Sequence, residues 1–214
     1  MAVSLPNGAI VEIGTALASP AIITALSNAS SAVATATNTY ADGDYVVVTS
    51  GWSALTDRVV RVDAPSGTSF TMEGIDTSDT NRYSAGSGVG ASAKVNTWVQ
   101  LQQILSSSSN GGEQQFLDYQ FLESDAAKRI PTFKSPSGLT FTVADDPTLA
   151  GYIAAKAAND DRKPRAVRVS LPNGAKLLYY SYISLAPSPT LTVNEVMAVE
   201  ITLSNLGEPV RYAS

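Results

Sequence analysis

The sequence of 214 residues contains no cysteine and no histidine. The missing cysteine excludes disulfides and thiolate nucleophiles, and the missing histidine excludes Ser-His-Asp triads and zinc sites of the usual ligand types. Carboxylate or Ser-Lys catalysis would need paired residues, and the chain offers no arrangement of that kind. We therefore predict a protein that is not an enzyme and that holds no cofactor and no metal.

Charged residues are also few, at 15% of the chain, and the formal net charge is -5. A protein that binds nucleic acid tightly carries a basic patch, whereas the net negative charge of this chain repels phosphates. The sequence has no run of ~18 apolar residues and no basic, apolar leader at its start. It therefore predicts a soluble protein, made in a cytoplasm, that does not insert into a membrane.

Short runs rich in Val and Thr, separated by Gly, Pro and Asn turns, are typical of an all-β chain. The most regular stretch is residues 163–210. It holds an alternating strand over residues 165–171, a turn at Pro172-Asn173-Gly174, and a run over residues 176–185 that is apolar on both faces. Proline and glycine suit such a turn, and a strand that is apolar on both faces is predicted to be covered from two sides.

One helix is predicted after residue 147. Asp145 and Asp146 precede Pro147, and aspartate caps free helix N–H groups while proline suits the first helical position. Apolar residues then recur at helical spacing up to Ala157. The alternative interpretation of Asp145 and Asp146 is a catalytic or metal-binding pair.

The residue composition and the pattern of turn signals change in the middle of the chain. Residues 21–93 consist of short strands between strong turn signals and carry seven acidic and three basic residues. They end in a Ser/Gly-rich segment, residues 84–90, which predicts a flexible linker. We therefore predict an inserted small β-barrel-like domain over residues 21–93, and a main domain formed by residues 1–20 and 94–214.

Two polar strands follow the insertion, over residues 97–105 and 114–123. Alternation places Gln100 and Gln102 on one face of the first strand, and Asp118 and Gln120 on one face of the second. Residues 95–127 include four acidic residues and no Lys or Arg. We therefore predict that these strands present a solvent-exposed face that is uncharged to acidic. The small polar residues 106–112 between the strands predict a mobile loop.

An aromatic cluster at Tyr179, Tyr180 and Tyr182 has two interpretations. Such a cluster can stack a sugar, but on a strand that is apolar on both faces it is more often part of a core or a subunit interface. Both interpretations stay open at this point.

The C-terminal elements resemble a known family. Residues 167–174 (VRVSLPNG), the aromatic strand after them and the finish over residues 199–209 resemble the C-terminal half of the major tail tube proteins of long-tailed, non-contractile phages. The order of strand pair, strand, helix, strand, turn and strand before this finish resembles the same family. The module of residues 21–93 departs from the family pattern.

The resemblance implies a mainly β fold, an antiparallel β-sandwich with one flanking α-helix, plus the small all-β insertion. It implies hexameric rings that stack into a tube, a conduit for phage DNA ejection into the host. The implied partners are other copies of the chain, the tape-measure protein, and the tail tip and tail terminator proteins. The implied location is the tail of the virion, assembled in the host cytoplasm, with the insertion on the outside of the tube.

The resemblance also assigns roles to residues. The predicted lumen-facing residues are Gln100, Gln102, Asp118 and Gln120, because a lumen that repels phosphate lets DNA slide. The predicted contact loop between rings or subunits is Ser106, Ser107, Ser108, Ser109, Asn110, Gly111 and Gly112. The alternative function is a carbohydrate- or surface-binding decoration protein of the virion, with Trp52 and Tyr83 as its platform.

Overall fold

The alternating patterns of the sequence become sixteen strands and one α-helix in residues 7–213, which the computed structural model describes. Residues 1–6, the start of the predicted segment 1–20, lie outside the described chain. The strands are β1 (Ile10–Leu17), β2 (Ala21–Ile23), β3 (Ala25–Leu26), β4 (Val33–Thr35), β5 (Tyr45–Ser50), β6 (Arg58–Ser66), β7 (Ser69–Met72), β8 (Gly90–Leu101), β9 (Ile104–Gly111), β10 (Gln114–Tyr119), β11 (Lys128–Lys134), β12 (Ser137–Ala144), β13 (Arg165–Ser170), β14 (Lys176–Leu185), β15 (Ala198–Asn205) and β16 (Val210–Tyr212). The helix is α1 (Ala150–Asp161).

Fourteen strands join in one antiparallel path, in the order β3-β4-β7-β6-β5-β8-β1-β13-β14-β15-β12-β9, with β16 beside β14 and β2 beside β8. Val11 and Val169 line the same groove of about 520 Å³ as Ile104 and Phe141, although β14 and β15 separate their strands in this order. The path therefore folds back on itself, as in a sandwich. The predicted mainly β, antiparallel fold with one flanking helix is confirmed.

The buried apolar residues form two clusters. The first lies mainly in residues 21–93, around Phe70, Met72 and Leu55. The second lies between α1 and strands β1, β8, β12, β13, β14 and β15. Strand β14 contributes to both, since Leu178 belongs to the first cluster and Tyr179 to the second. The prediction that this strand is covered from two sides is therefore confirmed around Leu178 and Tyr179, whereas at its C-terminal end Tyr182 and Ser184 leave one face exposed.

Residues 21–93, for which we keep the name insertion from the sequence prediction, share a strand with the sandwich. Residues 90–94 of β8 pair with β5, and residues 95–101 pair with β1. The predicted flexible linker is wrong: a Cβ at Gly90 would lie 2.0 Å from the Thr49 carbonyl oxygen, and a Cβ at Gly88 would lie 2.9 Å from the Trp52 ring. These glycines serve close packing, so the segment is fixed by its neighbours.

Two polar clusters fasten the C-terminus to the insertion. Tyr212 is buried, and its hydroxyl accepts a hydrogen bond from the Arg61 backbone N–H (2.8 Å) and donates to the Glu73 carbonyl oxygen (3.1 Å). Burial raises the pKa of Tyr212 to about 12. Arg61 also lies over the Tyr212 ring and pairs with the Glu73 carboxylate.

The second cluster is centred on Glu208. Its carboxylate pairs with Arg58, with Arg82 (3.4 Å) and with Lys134 (3.3 Å). Burial by itself raises the pKa of Glu208, but the charge of Arg58, the hydrogen bond and charge of Lys134 and the charge of Arg82 together lower it. One carboxylate thus connects residues of β6, β11 and the loop before β16.

Helix α1 exists where the sequence predicts one, but it begins later. Its N-cap is Leu149, which makes no capping hydrogen bond through its side chain. The predicted capping by Asp145 and Asp146 is therefore wrong: the Asp146 carboxylate accepts hydrogen bonds from the backbone N–H and the hydroxyl of Thr148. Helix residues Gly151, Ala155 and Ala158 are buried, so small side chains allow the helix to approach the sheet closely.

Candidate assembly surfaces

Strand β9 is an open edge of the main sheet. It pairs with β12 over residues 104–111, and in the described chain no other strand pairs with it. Seven of its eight residues are exposed, and its sequence ILSSSSNG has no charge and no proline. Natural proteins usually protect such edges with lysine, proline or bulges, because free N–H and C=O groups pair with other chains. The pairing with β12 has one register shift, between Ile104 and Ser106, and from Ser106 to Gly111 it is regular, so this part of the edge is unprotected.

The predicted loop over residues 106–112 is therefore mostly strand. Residues Ser106, Ser107, Ser108, Ser109, Asn110 and Gly111 belong to β9, and Gly112 follows it with a φ of 79°. The serine run has no apolar alternation, so it gave no strand signal. Backbone pairing with β12 creates the strand instead. The contact role of these residues stays a prediction.

One face of β9, β12 and β15 is polar and almost uncharged. Paired residues form rows across the three strands, such as Ser106, Thr142 and Glu200. The Thr140 and Thr202 hydroxyls of the next row lie 3.4 Å apart. Glu200 is the one charged residue in these three strands. The opposite face holds apolar residues of the second core cluster, such as Phe141 and Ile201.

A two-stranded hairpin, residues 114–134, extends from the base of β12. We call it the arm. Its strands β10 and β11 pair with each other, and in the described chain they are hydrogen-bonded to no other strand. Leu117 lies opposite Ile130, and Tyr119 lies opposite Lys128, so these four side chains share one face. The Phe121 ring packs edge-to-face on Tyr119, with centroids 5.3 Å apart.

The charges of the arm differ from the sequence interpretation. Strand β11, which the alternation did not reveal, brings Lys128, Arg129 and Lys134 against the acidic strand β10. Residues 114–134 thus carry three basic and three acidic residues. The Asp118 carboxylate pairs with Arg129 (2.6 Å), and this hydrogen bond lowers the pKa of Asp118. The arm is therefore not an acidic surface.

The four predicted lumen residues do not share one face. Gln100 is exposed on β8, opposite Glu12 of β1, and Gln102 is exposed just after β8. Asp118 lies on the arm, and Gln120 lies beyond β10, where its amide donates to the Ser124 carbonyl oxygen (2.7 Å). All four are exposed, but two belong to the main sheet and two to the arm.

A second apolar projection, which the sequence did not single out, lies at residues 191–197 between β14 and β15. We call it the tip. The Thr190 N–H donates to the Ala198 carbonyl oxygen (2.8 Å) and closes it. Its exposed apolar side chains are Leu191 (77% exposed), Val193 (87%), Val196 (62%) and Met197 (51%). The exposure of these apolar side chains identifies the tip as a candidate surface, and exposure can be seen only in the structure.

The predicted aromatic platform is wrong. Trp52 and Tyr83 are 3% and 4% exposed, and their rings pack edge-to-face against each other. The Trp52 indole N–H donates to the Ser84 carbonyl oxygen (2.8 Å). Rings buried in this way cannot stack a sugar. Tyr179 is also buried, whereas Tyr182 is exposed on β14.

Two absences apply to the described residues. Within residues 7–213, no group of His, Cys, Asp and Glu side chains is arranged to hold a metal ion. The helix found in that range is not long and apolar enough to span a membrane.

Comparison with known proteins gives one match in sequence. The model of a family described as "Phage tail tube protein, TTP" matches residues 50–214. No curated protein matches the chain.

Three solved structures resemble the chain in fold, each over about half of its length. The sheath/tube terminator of an extracellular contractile injection system (PVC, extended state) is 14% identical over 53% of this chain and 87% of its own, with a TM-score of 0.42. A chain of the native gene transfer agent virion is 12% identical over 54% and 89%, with a TM-score of 0.43. A chain of the anti-feeding prophage cap is 17% identical over 54% and 83%, with a TM-score of 0.40.

Proposed function

The chain belongs to the phage tail tube protein family, and on this premise we propose that it is the repeating subunit of a tail tube. It is a structural protein and not an enzyme. We further propose that six copies form a ring, that rings stack into the tube of a long-tailed, non-contractile phage, and that DNA passes through the tube into the host. The proposed partners are further copies of the chain, the tape-measure protein, and the tail tip and terminator proteins.

The observation that carries the proposal is the open edge of β9. Eight residues without charge or proline offer free backbone groups along one side. An edge of this kind, left exposed, would promote uncontrolled aggregation. Pairing with a strand of the next copy in a ring satisfies these groups and joins the sheets of neighbouring copies. Closing a sheet on itself removes its edges, which is the physical advantage of a ring.

We propose that the polar face of β9, β12 and β15 lines the lumen. Its hydroxyl and amide groups can hold water, and its one charge, Glu200, repels phosphate. Counterion release at basic residues would make DNA adhere, and these three strands contain no Lys or Arg. The earlier set of Gln100, Gln102, Asp118 and Gln120 remains a competing prediction.

We also propose the two-domain division, with residues 21–93 as a module on the outside of the tube. The first apolar cluster supports it, because most of its members come from this segment. A module outside the tube does not obstruct DNA.

The test of assembly uses negative-stain microscopy of concentrated protein and proline in the edge. Successive residues of a strand direct their N–H groups to opposite sides. Of Ser107→Pro and Ser108→Pro, one therefore removes a bond to β12 and the other removes a group on the open side. The variant whose proline removes an N–H group on the open side should keep the stability of the monomer but no longer form tubes. A wild-type protein that stays monomeric at all concentrations, or unchanged tubes in this variant, would contradict the proposal.

The lumen is tested by lysine substitution. Thr202→Lys should slow DNA ejection from assembled particles, whereas Asp118→Lys should leave it unchanged. The reverse result would favour the earlier set of lumen residues over the polar face of β9, β12 and β15.

A further inference from the structure

A polar cleft of about 330 Å³ lies where the insertion meets the sandwich. Three parts of the chain line it: residues 18–21, which lead from β1 into β2, residues 37–40 before β5, and the β8 residues Lys94 and Asn96. Small-molecule sites usually have volumes of about 300–1,000 Å³, so the cleft is large enough for a small ligand. The assembly surfaces described above use none of these residues.

One wall of the cleft, the segment before β5, is fixed by hydrogen bonds. The Asn38 amide donates to the Ser66 carbonyl oxygen (3.0 Å), and its side-chain oxygen accepts from the Tyr40 backbone N–H (3.1 Å). The Tyr40 hydroxyl lies 2.9 Å from both the carbonyl and the hydroxyl oxygen of Ser92. The Tyr40 ring also packs edge-to-face on Phe70. A wall that is already ordered loses little conformational entropy when a ligand binds.

Other side chains of the cleft have hydrogen-bonding capacity to spare. Ser19, Thr37, Thr39 and Asn96 line the cleft and are exposed. Within residues 7–213 their side chains make no hydrogen bond, whereas Asn38 and Tyr40 beside them do. Three hydroxyl groups and one amide thus offer both donors and acceptors. This combination suits a ligand that is itself rich in hydroxyl groups.

The charge of the cleft is neutralised. Of the described residues that line it, only Lys94 is charged. Its ammonium group pairs with the Asp44 carboxylate (2.6 Å), which also accepts a hydrogen bond from the Ala41 backbone N–H (2.8 Å). An anionic ligand would have to compete with Asp44 for Lys94. A purely apolar ligand would leave the hydroxyl and amide groups without partners. The cleft therefore favours a ligand that is polar and uncharged.

We propose that this cleft binds a neutral sugar ring, a hexose or an N-acetylhexosamine, either free or as a unit of a polysaccharide. Thr37, Thr39 and Asn96 bond to its hydroxyl groups. The Tyr40 ring offers an apolar surface to its C–H groups. This binding function goes beyond the proposed role in the tube. Copies joined in a tube would bind a polysaccharide at many sites at once, which raises the overall affinity of weak single sites.

The test uses the full, unassembled chain and saturation-transfer NMR with glucose, galactose, mannose, N-acetylglucosamine and N-acetylgalactosamine. We expect at least one of these sugars to bind with a Kd of about 1 mM, as suits a single open site. The variant Thr39→Val/Asn96→Leu should weaken binding at least about tenfold, because it removes two hydrogen-bonding groups.

The matched control is Thr80→Val/Asn81→Leu. Thr80 and Asn81 are exposed in the insertion but do not line the cleft, so this variant should bind the sugar as the wild type does. Both variants replace exposed side chains and should keep the urea midpoint of the wild type. Asn96→Leu alone gives a second, milder variant, for which binding should weaken about threefold or more.

A polymer of the bound sugar, offered to assembled protein, identifies the source of the ligand. Tighter binding per sugar unit than for the free sugar assigns the cleft to a polysaccharide, and equal binding assigns it to the free sugar. If the wild-type chain binds none of the five sugars, the inference is overturned. It is equally overturned if Thr39→Val/Asn96→Leu binds as tightly as the wild type. Neither result concerns tube formation, because the sugar titration needs no tubes.

Discussion

Two all-β parts of this chain, the insertion and the arm, differ in how far their aromatic residues are buried. In the insertion, Phe70 is fully buried and Trp52 and Tyr83 are nearly so. In the arm, Phe116 and Phe133 are 51% and 67% exposed. Aromatic rings supply most of the apolar area that stabilises small domains. The aromatic rings of the insertion thus stabilise it within one copy, whereas those of the arm leave apolar surface exposed on one copy.

The strongest test of this difference makes the same substitution in both parts. Phe70→Ala should lower the free energy of unfolding by about 3–5 kcal/mol, because it removes a buried ring and leaves a cavity. Phe133→Ala, its matched control in the arm, should change it by no more than about 0.5 kcal/mol. Denaturant unfolding of the unassembled protein measures both. Equal losses would show that the arm is packed within one copy.

The next effect concerns the junction between the insertion and the arm. Glu208→Gln removes the carboxylate that joins Arg58, Arg82 and Lys134. Since the Arg58 side chain is 11% exposed and Glu208 is 43% exposed, we expect a loss of about 1–2 kcal/mol, reduced by solvent screening. The same unfolding experiment measures the loss.

The junction also predicts a pH dependence. The pKa of Glu208 is lowered from its ordinary value of 4.5, so its contribution to stability is present above pH 4.5 and is lost as the pH falls below it. Wild-type protein should therefore lose more stability on acidification than Glu208→Gln. A parallel loss in both proteins would argue against the ion-pair cluster.

The sequence predicted those parts of the fold whose pattern is local. The two apolar faces of β14 were visible because alternate residues point to alternate faces, and Leu178 and Tyr179 do enter different clusters. The position of α1 was visible from helical spacing, but its start was not. Pro147 and two aspartates formed a helix-start signal, but the Asp146 carboxylate accepts hydrogen bonds from Thr148 in a turn before the helix instead of capping it.

The candidate surfaces depend on pairing between distant strands, which local pattern does not encode. Strand β9 is a strand because β12 lies beside it, and its serines carry no apolar alternation. Strand β11 contains Pro131, which is typical of edge strands and weakens a strand prediction. The predicted acidic face failed for the same reason: Arg129 is eleven residues from Asp118 in sequence but directly opposite it in the arm.

A smaller effect is expected at the buried tyrosine of the C-terminus. Tyr212→Phe leaves the Arg61 N–H and the Glu73 carbonyl without their hydroxyl partner, which should cost about 1 kcal/mol at neutral pH. Because the pKa of Tyr212 is raised from 10.0 to about 12, its contribution is complete below pH 10 and is lost as the pH rises through 12. The variant should therefore lose less stability than wild type between those values, as measured by urea unfolding at each pH.

The smallest effect on stability should accompany a large effect on assembly. Leu117→Ser with Ile130→Ser replaces two exposed side chains that face each other on the apolar face of the arm. In the unassembled protein the free energy of unfolding should change by no more than about 0.5 kcal/mol, since no core contact is lost. Tube yield should fall sharply, because the exposed apolar face of the arm becomes polar and loses the surface that it offers to other copies. If the variant instead assembles normally, the exposed apolar face of the arm is not an assembly surface. The insertion and the arm then differ only in how their side chains pack within one copy.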